Sequence, residues 1–176
     1  MIKAAAVVSG DGSELQSLID GLFFGEVPDF TVSAVVAVEN GSRALDRAGR
    51  AGIPGYVVDA DIFPNAATFT RALTAKLLDL DVDMAILAGV VPEPSESFYR
   101  VFSGRCVCLR LTRSDSSVTA TAILADADGS EARRFGRVSA DALPGEAEGE
   151  LRRKLTENGA GQLLSEAVKQ YMRDFH

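Results

Sequence analysis

The sequence predicts a doubly wound α/β fold, with a mostly parallel Rossmann-type sheet and antiparallel strands toward its C-terminal end. Three observations carry this prediction. Short blocks of β-branched residues alternate with amphipathic stretches as far as Gly89, the first block runs into a glycine-bracketed loop and then a helix, and strands without intervening helices follow Gly89. A chain of 176 residues can bury a full core, and we find no internal repeat or linker, so we predict a single domain over 1–176.

The first half of the chain reads as alternating strands and helices. We predict strands at 2–8, 31–38, 55–58 and 83–88, with helices at 13–25, within 41–52 and at 66–80. The last of these helices carries its apolar residues at helical spacing. Crossovers between successive parallel strands are right-handed, so these strands should form one sheet with the first strand in its interior.

The second half has a different pattern. Pro92 and Pro94 exclude a helix before Ser95. We predict a short helix at 95–102, strands at 105–111, 118–125 and 133–138, and helices at 146–158 and 161–175. A turn at 126–130 joins the last two strands as an antiparallel hairpin, and Asn158-Gly159 separates the last two helices.

Composition limits the classes of partner. The net charge of −7 disfavours nucleic acid and anionic lipid, and we expect the basic residues at 133–137 and 152–154 to lie on solvated faces. No apolar stretch reaches the roughly 18 residues of a membrane span. We therefore expect a cytoplasmic protein without nucleic-acid or membrane partners, with a small anion as ligand; a homo-oligomer stays open.

Cysteine and histidine usage restricts the chemistry. Cys106 and Cys108 are two apart, so on a strand they face the same side, and we expect them to pack in the core. No further cysteine or nearby histidine completes a metal site, so no metal is expected. The single histidine is His176 at the end of the chain, which excludes acid–base catalysis by a histidine within a pocket.

The loop after the first strand is the candidate ligand site. It consists of Ser9, Gly10, Asp11, Gly12, Ser13 and Glu14. Backbone N–H groups at such a helix N-terminus favour an anion, and Asp11 with Glu14, or Ser13 with Gln16, would form a capping box. A dinucleotide fingerprint fits less well, because Leu15 replaces its third glycine, although Glu39 ends the second strand where an NAD-binding acid would lie. A nucleotide-binding oxidoreductase therefore stays an alternative.

The loop also resembles a known family. Residues 9–16 are similar to the Ser-Gly-Asn-Gly-Ser-Asn-Leu-Gln loop of the phosphoribosylglycinamide (GAR) formyltransferases, and 45–54, 83–89 and 95–105 resemble their second helix, fourth strand and short helix. The family transfers a formyl group from 10-formyltetrahydrofolate in purine biosynthesis. The resemblance implies a formyltransferase-like fold in a degenerate, shortened member.

The departures from the family pattern concern its catalytic residues. On this resemblance, Cys108 replaces the catalytic asparagine, Arg110 replaces the catalytic histidine, and Asp128 matches the catalytic aspartate. The interpretation that we favour for Asp128 is a turn with Asp and Gly at their usual places. Residues 112–117 stand in place of the long substrate-covering loop, and 90–94 replace the folate-lining segment. A basic residue of the family maps to Asn65 or Ala66.

These departures predict a catalytically inactive binding or regulatory protein linked to purine and folate metabolism. Asp11 and Glu14 replace the two asparagines of the family's loop and should oppose a phosphate, while their other role would be helix capping. The alternative is an active formyltransferase with a site rebuilt around Asp128 and Arg110, in which case 10-formyltetrahydrofolate would be the cofactor.

Overall fold

A computed structural model describes residues 1–25 and 27–175. The strands are β1 Ile2–Val8, β2 Phe30–Ala37, β3 Gly55–Val57, β4 Met84–Ala88, β5 Cys106–Arg113, β6 Ser117–Ala125 and β7 Glu131–Asp141. The helices are α1 Ser13–Gly25, α2 Ala44–Arg50, α3 Ala66–Asp79, α4 Glu96–Val101, α5 Glu148–Glu157 and α6 Ala160–Phe175, with a 3₁₀ turn at Ala60–Ile62. Each predicted strand and helix is present.

One sheet contains all of the described strands, in the order β3-β2-β1-β4-β5-β6-β7. The strands from β3 to β5 are parallel, whereas β6 and β7 pair antiparallel to their neighbours. β1 lies inside the sheet, between β2 and β4, which confirms the mostly parallel, doubly wound fold with antiparallel C-terminal strands. β2 and β3 lie on one side of β1, and β4 and the later strands lie on its other side. The carboxyl ends of β1 and β4 therefore border the crevice where ligands of such folds usually bind.

Helices cover both faces of the sheet. Buried side chains of α1, α2, α5 and α6 pack on one face, which we call the first face. The second face is covered by the Phe69, Leu73 and Leu77 stripe of α3 and by the aromatic residues of α4. None of the helices within 1–25 and 27–175 is long and apolar enough to cross a membrane.

Local interactions fix the ends of the elements. Asn65 caps α3, because its side chain accepts a hydrogen bond of 2.9 Å from the Thr68 backbone N–H. Ser95 precedes α4 in an extended conformation, as is typical of the residue at a helix N-cap. β5 and β7 extend beyond the predicted 105–111 and 133–138, because both pair with β6 along most of its length.

Candidate functional site

The candidate site lies at the carboxyl ends of the parallel strands. The 9–14 loop follows β1, and the segment 90–94 follows β4. The Ser9 hydroxyl accepts a hydrogen bond of 3.1 Å from the Val91 backbone N–H. This contact joins the two loops across the crevice between β1 and β4.

Asp11 organises the loop from within. Its Oδ1 accepts hydrogen bonds from the Ser13 backbone N–H at 2.9 Å and from the Ser13 hydroxyl at 2.6 Å. The bond from the Ser13 hydroxyl is the main cause of the lowered pKa of the Asp11 carboxyl. Gln16 donates its side chain to Asp20 instead of capping the helix. The loop therefore forms an Asx-type turn on Asp11, with no capping box between Ser13 and Gln16.

A second carboxylate comes from the end of β2. The Gly10 backbone N–H donates to Glu39 Oε1, and the Ser42 hydroxyl donates to the Gly10 carbonyl at 2.9 Å. Gly12 has a φ of +81°, and a Cβ there would lie 2.7 Å from the Ala44 Cα, so only glycine fits this close approach to α2. The Glu39 carboxylate thus already accepts a hydrogen bond from a backbone N–H group of the loop.

Arg152 of α5 reaches into the crevice, which corrects the prediction that it lies on a solvated face. Its side chain is 15% exposed, and its Nη1 lies 3.2 Å from the Ser9 Oγ. Its Nη2 lies 3.5 Å from Glu14 Oε1, whose side chain is 5% exposed. Glu14 is therefore a buried ion-pair partner and not a surface cap. The next residue, Arg153, is on the solvated face as predicted, at 58% exposure.

A second group of polar residues surrounds Arg110 on β5. Arg110 donates from Nε to Glu93 Oε1 at 2.9 Å, and its Nη2 lies 3.4 Å from the Tyr99 hydroxyl. The Tyr99 hydroxyl donates to the same Glu93 oxygen. Burial, followed by the neighbouring Glu93, raises the pKa of Tyr99. Burial alone would lower the pKa of Arg110, but Cys108, Tyr99 and Glu93 outweigh it and raise the pKa.

Both cysteines lie in the core of the second face, as predicted. Cys106 is fully buried and Cys108 is 1% exposed. A hydrogen bond with Cys108, together with burial, raises the pKa of the Cys106 thiol. A cavity of about 120 Å³ lies beside Cys108, Glu93 and Arg110. Within residues 1–25 and 27–175, no group of three or more His, Cys, Asp or Glu residues could hold a metal ion.

Asp128 lies in the exposed turn between β6 and β7. Its Oδ1 accepts a hydrogen bond of 2.9 Å from the Ser130 backbone N–H. Hydrogen bonding with Asp126 and Ser130 lowers the pKa of Asp128 to about 2. The turn touches the Arg110 cluster through Gly129, where a Cβ would lie 2.8 Å from the Tyr99 ring. His176 lies outside the described residues.

No family model matches the chain. The bovine trifunctional purine biosynthetic protein adenosine-3 is 32% identical over 105 residues, which cover 58% of this chain and 10% of that protein. The phosphoribosylglycinamide formyltransferase of Haemophilus influenzae is 31% identical over 105 residues, 60% of this chain and 49% of the enzyme. The chain therefore spans about half of the bacterial relative's length and a tenth of the bovine one's.

The structural match extends further than the sequence match. The glycinamide ribonucleotide transformylase 1 of Symbiobacterium toebii superposes with a TM-score of 0.78 at 22% identity, covering 99% of this chain and 89% of that one. The chain therefore has the fold of the GAR formyltransferases, and part of its sequence is similar to theirs. The family resemblance that the loop and the later elements predicted is confirmed.

Sequence reasoning missed three participants of this site. The sequence places Arg152 in a charged run, although it directly follows Leu151, a buried residue of α5. Its position next to a buried residue was the only indication in the sequence that Arg152 is partly buried, and this indication is weak. Glu93 and Tyr99 carried no signal, because their contact with Arg110 depends on how α4 and the preceding loop pack on the sheet.

Proposed function

We propose that this formyltransferase-like protein does not transfer a formyl group to GAR and acts as a binding or regulatory protein linked to purine and folate metabolism. The observation that carries the proposal is the crevice at the carboxyl ends of β1 and β4. Side chains of the protein already occupy it. Arg152 donates to the Ser9 hydroxyl and pairs with Glu14, and Glu39 accepts a hydrogen bond from the Gly10 N–H.

The chemistry of the reaction supports the proposal. Formyl transfer to an amine requires a base for the amine proton and a donor that stabilises the developing oxyanion. Arg110 stays protonated near neutral pH, and its ion pair with Glu93 strengthens that preference, so it cannot serve as the base. The Cys108 thiol is buried and is a weak hydrogen-bond donor.

The available space supports it as well. The cavity beside Cys108 and Arg110 measures about 120 Å³. Sites for drug-sized ligands and cofactors usually measure roughly 300–1,000 Å³. A folate would therefore require the segment 90–94 to move away from the sheet.

The ligand that we propose for the 9–14 loop is a small inorganic anion, bound weakly. Asp11 engages the Ser13 N–H and hydroxyl, and Glu39 engages the Gly10 N–H, so an incoming phosphate competes with two carboxylates of the chain. Arg152 partly offsets this negative charge. The net charge of −7 disfavours a nucleic-acid partner.

The test is a formyl-transfer assay with GAR and 10-formyltetrahydrofolate. The purified chain and a Cys108→Asn/Arg110→His double variant are compared with a no-enzyme blank and with the Haemophilus influenzae enzyme as positive control. We expect blank-level rates from both forms, because the two replacements restore neither the folate cavity nor a site closed to water.

Turnover by the wild type above the blank would overturn the proposal and favour a site rebuilt around Arg110. An Arg110→Gln variant would then show whether that guanidinium takes part. Turnover by the double variant alone would mean that the fold still holds both substrates, and would also contradict the argument from cavity volume.

A further inference from the structure

A larger cavity lies between α1 and α2, beside the first half of β2. It measures about 640 Å³ and is bounded by the end of α1, the first half of β2 and the end of α2. It exists because α2, at seven residues, is about 10 Å long, whereas the eight residues of β2 span about 26 Å. β3 pairs only with Val35–Ala37, so Phe30–Val32 also have an open outer edge.

The floor and walls of this cavity are apolar. Phe30 and Val32 of β2 form the floor, and Ile19, Leu22 and Ile53 flank it while packing against the core of the first face. At its rim, Phe23 and Phe24 are 76% and 79% exposed and contact each other edge to face. Contiguous exposed apolar surface is a common feature of binding sites.

The charged groups of the cavity are mostly cationic. Arg47 and Arg50 project from α2 and Asp20 from α1. Asp20 already accepts a hydrogen bond of 2.9 Å from Gln16, and Arg47 donates to the Asp11 carbonyl at 2.9 Å. Arg50 has no hydrogen-bond or ion-pair partner within 1–25 and 27–175. Among the described residues, a cation without a partner therefore borders an apolar cavity, in a chain whose net charge is −7.

We propose that this cavity binds a small amphipathic carboxylate, a role separate from that of the 9–14 loop. The hydrocarbon part lies on Phe30 and Val32, and the carboxylate pairs with the Arg50 guanidinium, with Arg47 close by. The volume of about 640 Å³ lies within the range of roughly 300–1,000 Å³ typical of small-molecule sites. Guanidinium groups suit carboxylates because their paired N–H donors match both oxygens.

The test compares three probes of equal chain length by titration calorimetry on the full chain: decanoate, decan-1-ol and decyltrimethylammonium. We expect decanoate to bind about tenfold more tightly than decan-1-ol, and the cationic probe to bind least. Arg50→Gln should remove most of the preference for decanoate while leaving decan-1-ol binding unchanged. Arg71→Gln, an exposed arginine of α3 on the second face, is the matched control and should change neither.

A second measurement locates the probes without a variant. Intermolecular nuclear Overhauser effects should join the decanoate chain to the methyl groups of Leu22, Val32 and Ile53 in the wild type. Equal affinities for decanoate and decan-1-ol, an unchanged preference in Arg50→Gln, or Overhauser effects to other methyl groups would each overturn the proposal. So would a dimer in sedimentation equilibrium that dissociates on Phe23→Ser/Phe24→Ser replacement, because a second copy would then be the occupant.

Discussion

At the scale of single residues, Arg152 and Glu14 form an ion pair that lies almost entirely inside the protein. Their side chains are 15% and 5% exposed, and Arg152 also contacts the Ser9 hydroxyl. A buried ion pair contributes little net stability relative to apolar residues of the same volume. Removing only one partner is costly, because the remaining charge then stays buried without compensation.

Arg152→Ala should therefore lower the free energy of unfolding by about 3 kcal/mol, measured by urea denaturation at pH 7. The matched control is Arg153→Ala, whose side chain is 58% exposed and whose removal should change stability far less. The double variant Glu14→Leu/Arg152→Met should recover most of the lost stability. Equal effects of the two single arginine variants would contradict the buried ion pair.

The proposed binding of anions by the loop should depend on Asp11. Its carboxylate engages both donors of Ser13, and an asparagine can keep the same turn through its side-chain oxygen while removing the negative charge. We expect Asp11→Asn to tighten inorganic phosphate binding about twofold to fivefold, measured by calorimetry at low ionic strength. Asp79→Asn at the end of α3 is the control, and unchanged or weaker binding in Asp11→Asn would refute the argument.

Which side chains meet at this site follows only in part from the sequence. The pattern of Ser9–Ser13 correctly indicated a loop at a helix N-terminus, because glycine spacing and a following amphipathic stretch are local properties. The partner of Glu14 is Arg152, 138 positions away along the chain. A contact over that separation depends on how α5 docks on the sheet, so no local pattern predicts it.

At the scale of elements, the turn between β6 and β7 packs against α4. Gly129 has a φ of +84°, and a Cβ there would lie 2.8 Å from the Tyr99 ring. Gly145 has a similar φ of +76° but no atom within 4 Å of the corresponding point. Replacing each glycine with alanine therefore distinguishes the cost of a left-handed backbone, which both positions share, from the cost of a steric overlap, which only Gly129 has.

We expect Gly145→Ala to destabilise the protein by about 1 kcal/mol, from backbone strain alone. Gly129→Ala should cost about 1–3 kcal/mol more, because Tyr99 must move away from its bonds to Glu93 and Arg110. Urea denaturation of both variants measures the difference. Equal costs would show that the turn does not press on α4 in solution.

The elements themselves were predictable, whereas several of their ends were not. β-branched blocks and helical apolar spacing are strong local signals, and they placed all described strands and α-helices, though not the 3₁₀ turn at Ala60–Ile62. β7 extends to Asp141 because Asp141 pairs with Ser117 of β6. The residues of β7 themselves alternate only weakly between buried and exposed positions. Its end is therefore set by the partner strand and not by its own residues.

At the scale of the whole molecule, the two cores share the same strands. Within β1, Ala4 and Ala6 belong to the core of the first face, whereas Ala5 and Val7 belong to that of the second face. Neither core can lose its strand residues without disrupting the other. The predicted single domain over 1–176 should therefore unfold cooperatively.

This expectation can be checked with two probes in the same urea titration. Far-UV circular dichroism follows the whole chain, and pulsed thiol labelling follows Cys106 and Cys108, which are buried on the second face. The two midpoints should coincide. Labelling at lower urea than the loss of ellipticity would instead show that α3 and α4 detach before the rest.

The contact between Glu39 and the Gly10 N–H has a consequence for any anion that approaches the loop. Because both groups belong to one chain, Glu39 acts as a tethered competitor whose effective concentration does not fall on dilution and commonly reaches the millimolar range. A free phosphate must therefore compete with a Glu39 carboxylate that is present at this effective concentration. The protein would then respond to anions only when they are abundant, as a low-affinity sensor does, and a signal present at micromolar levels would leave the loop unchanged.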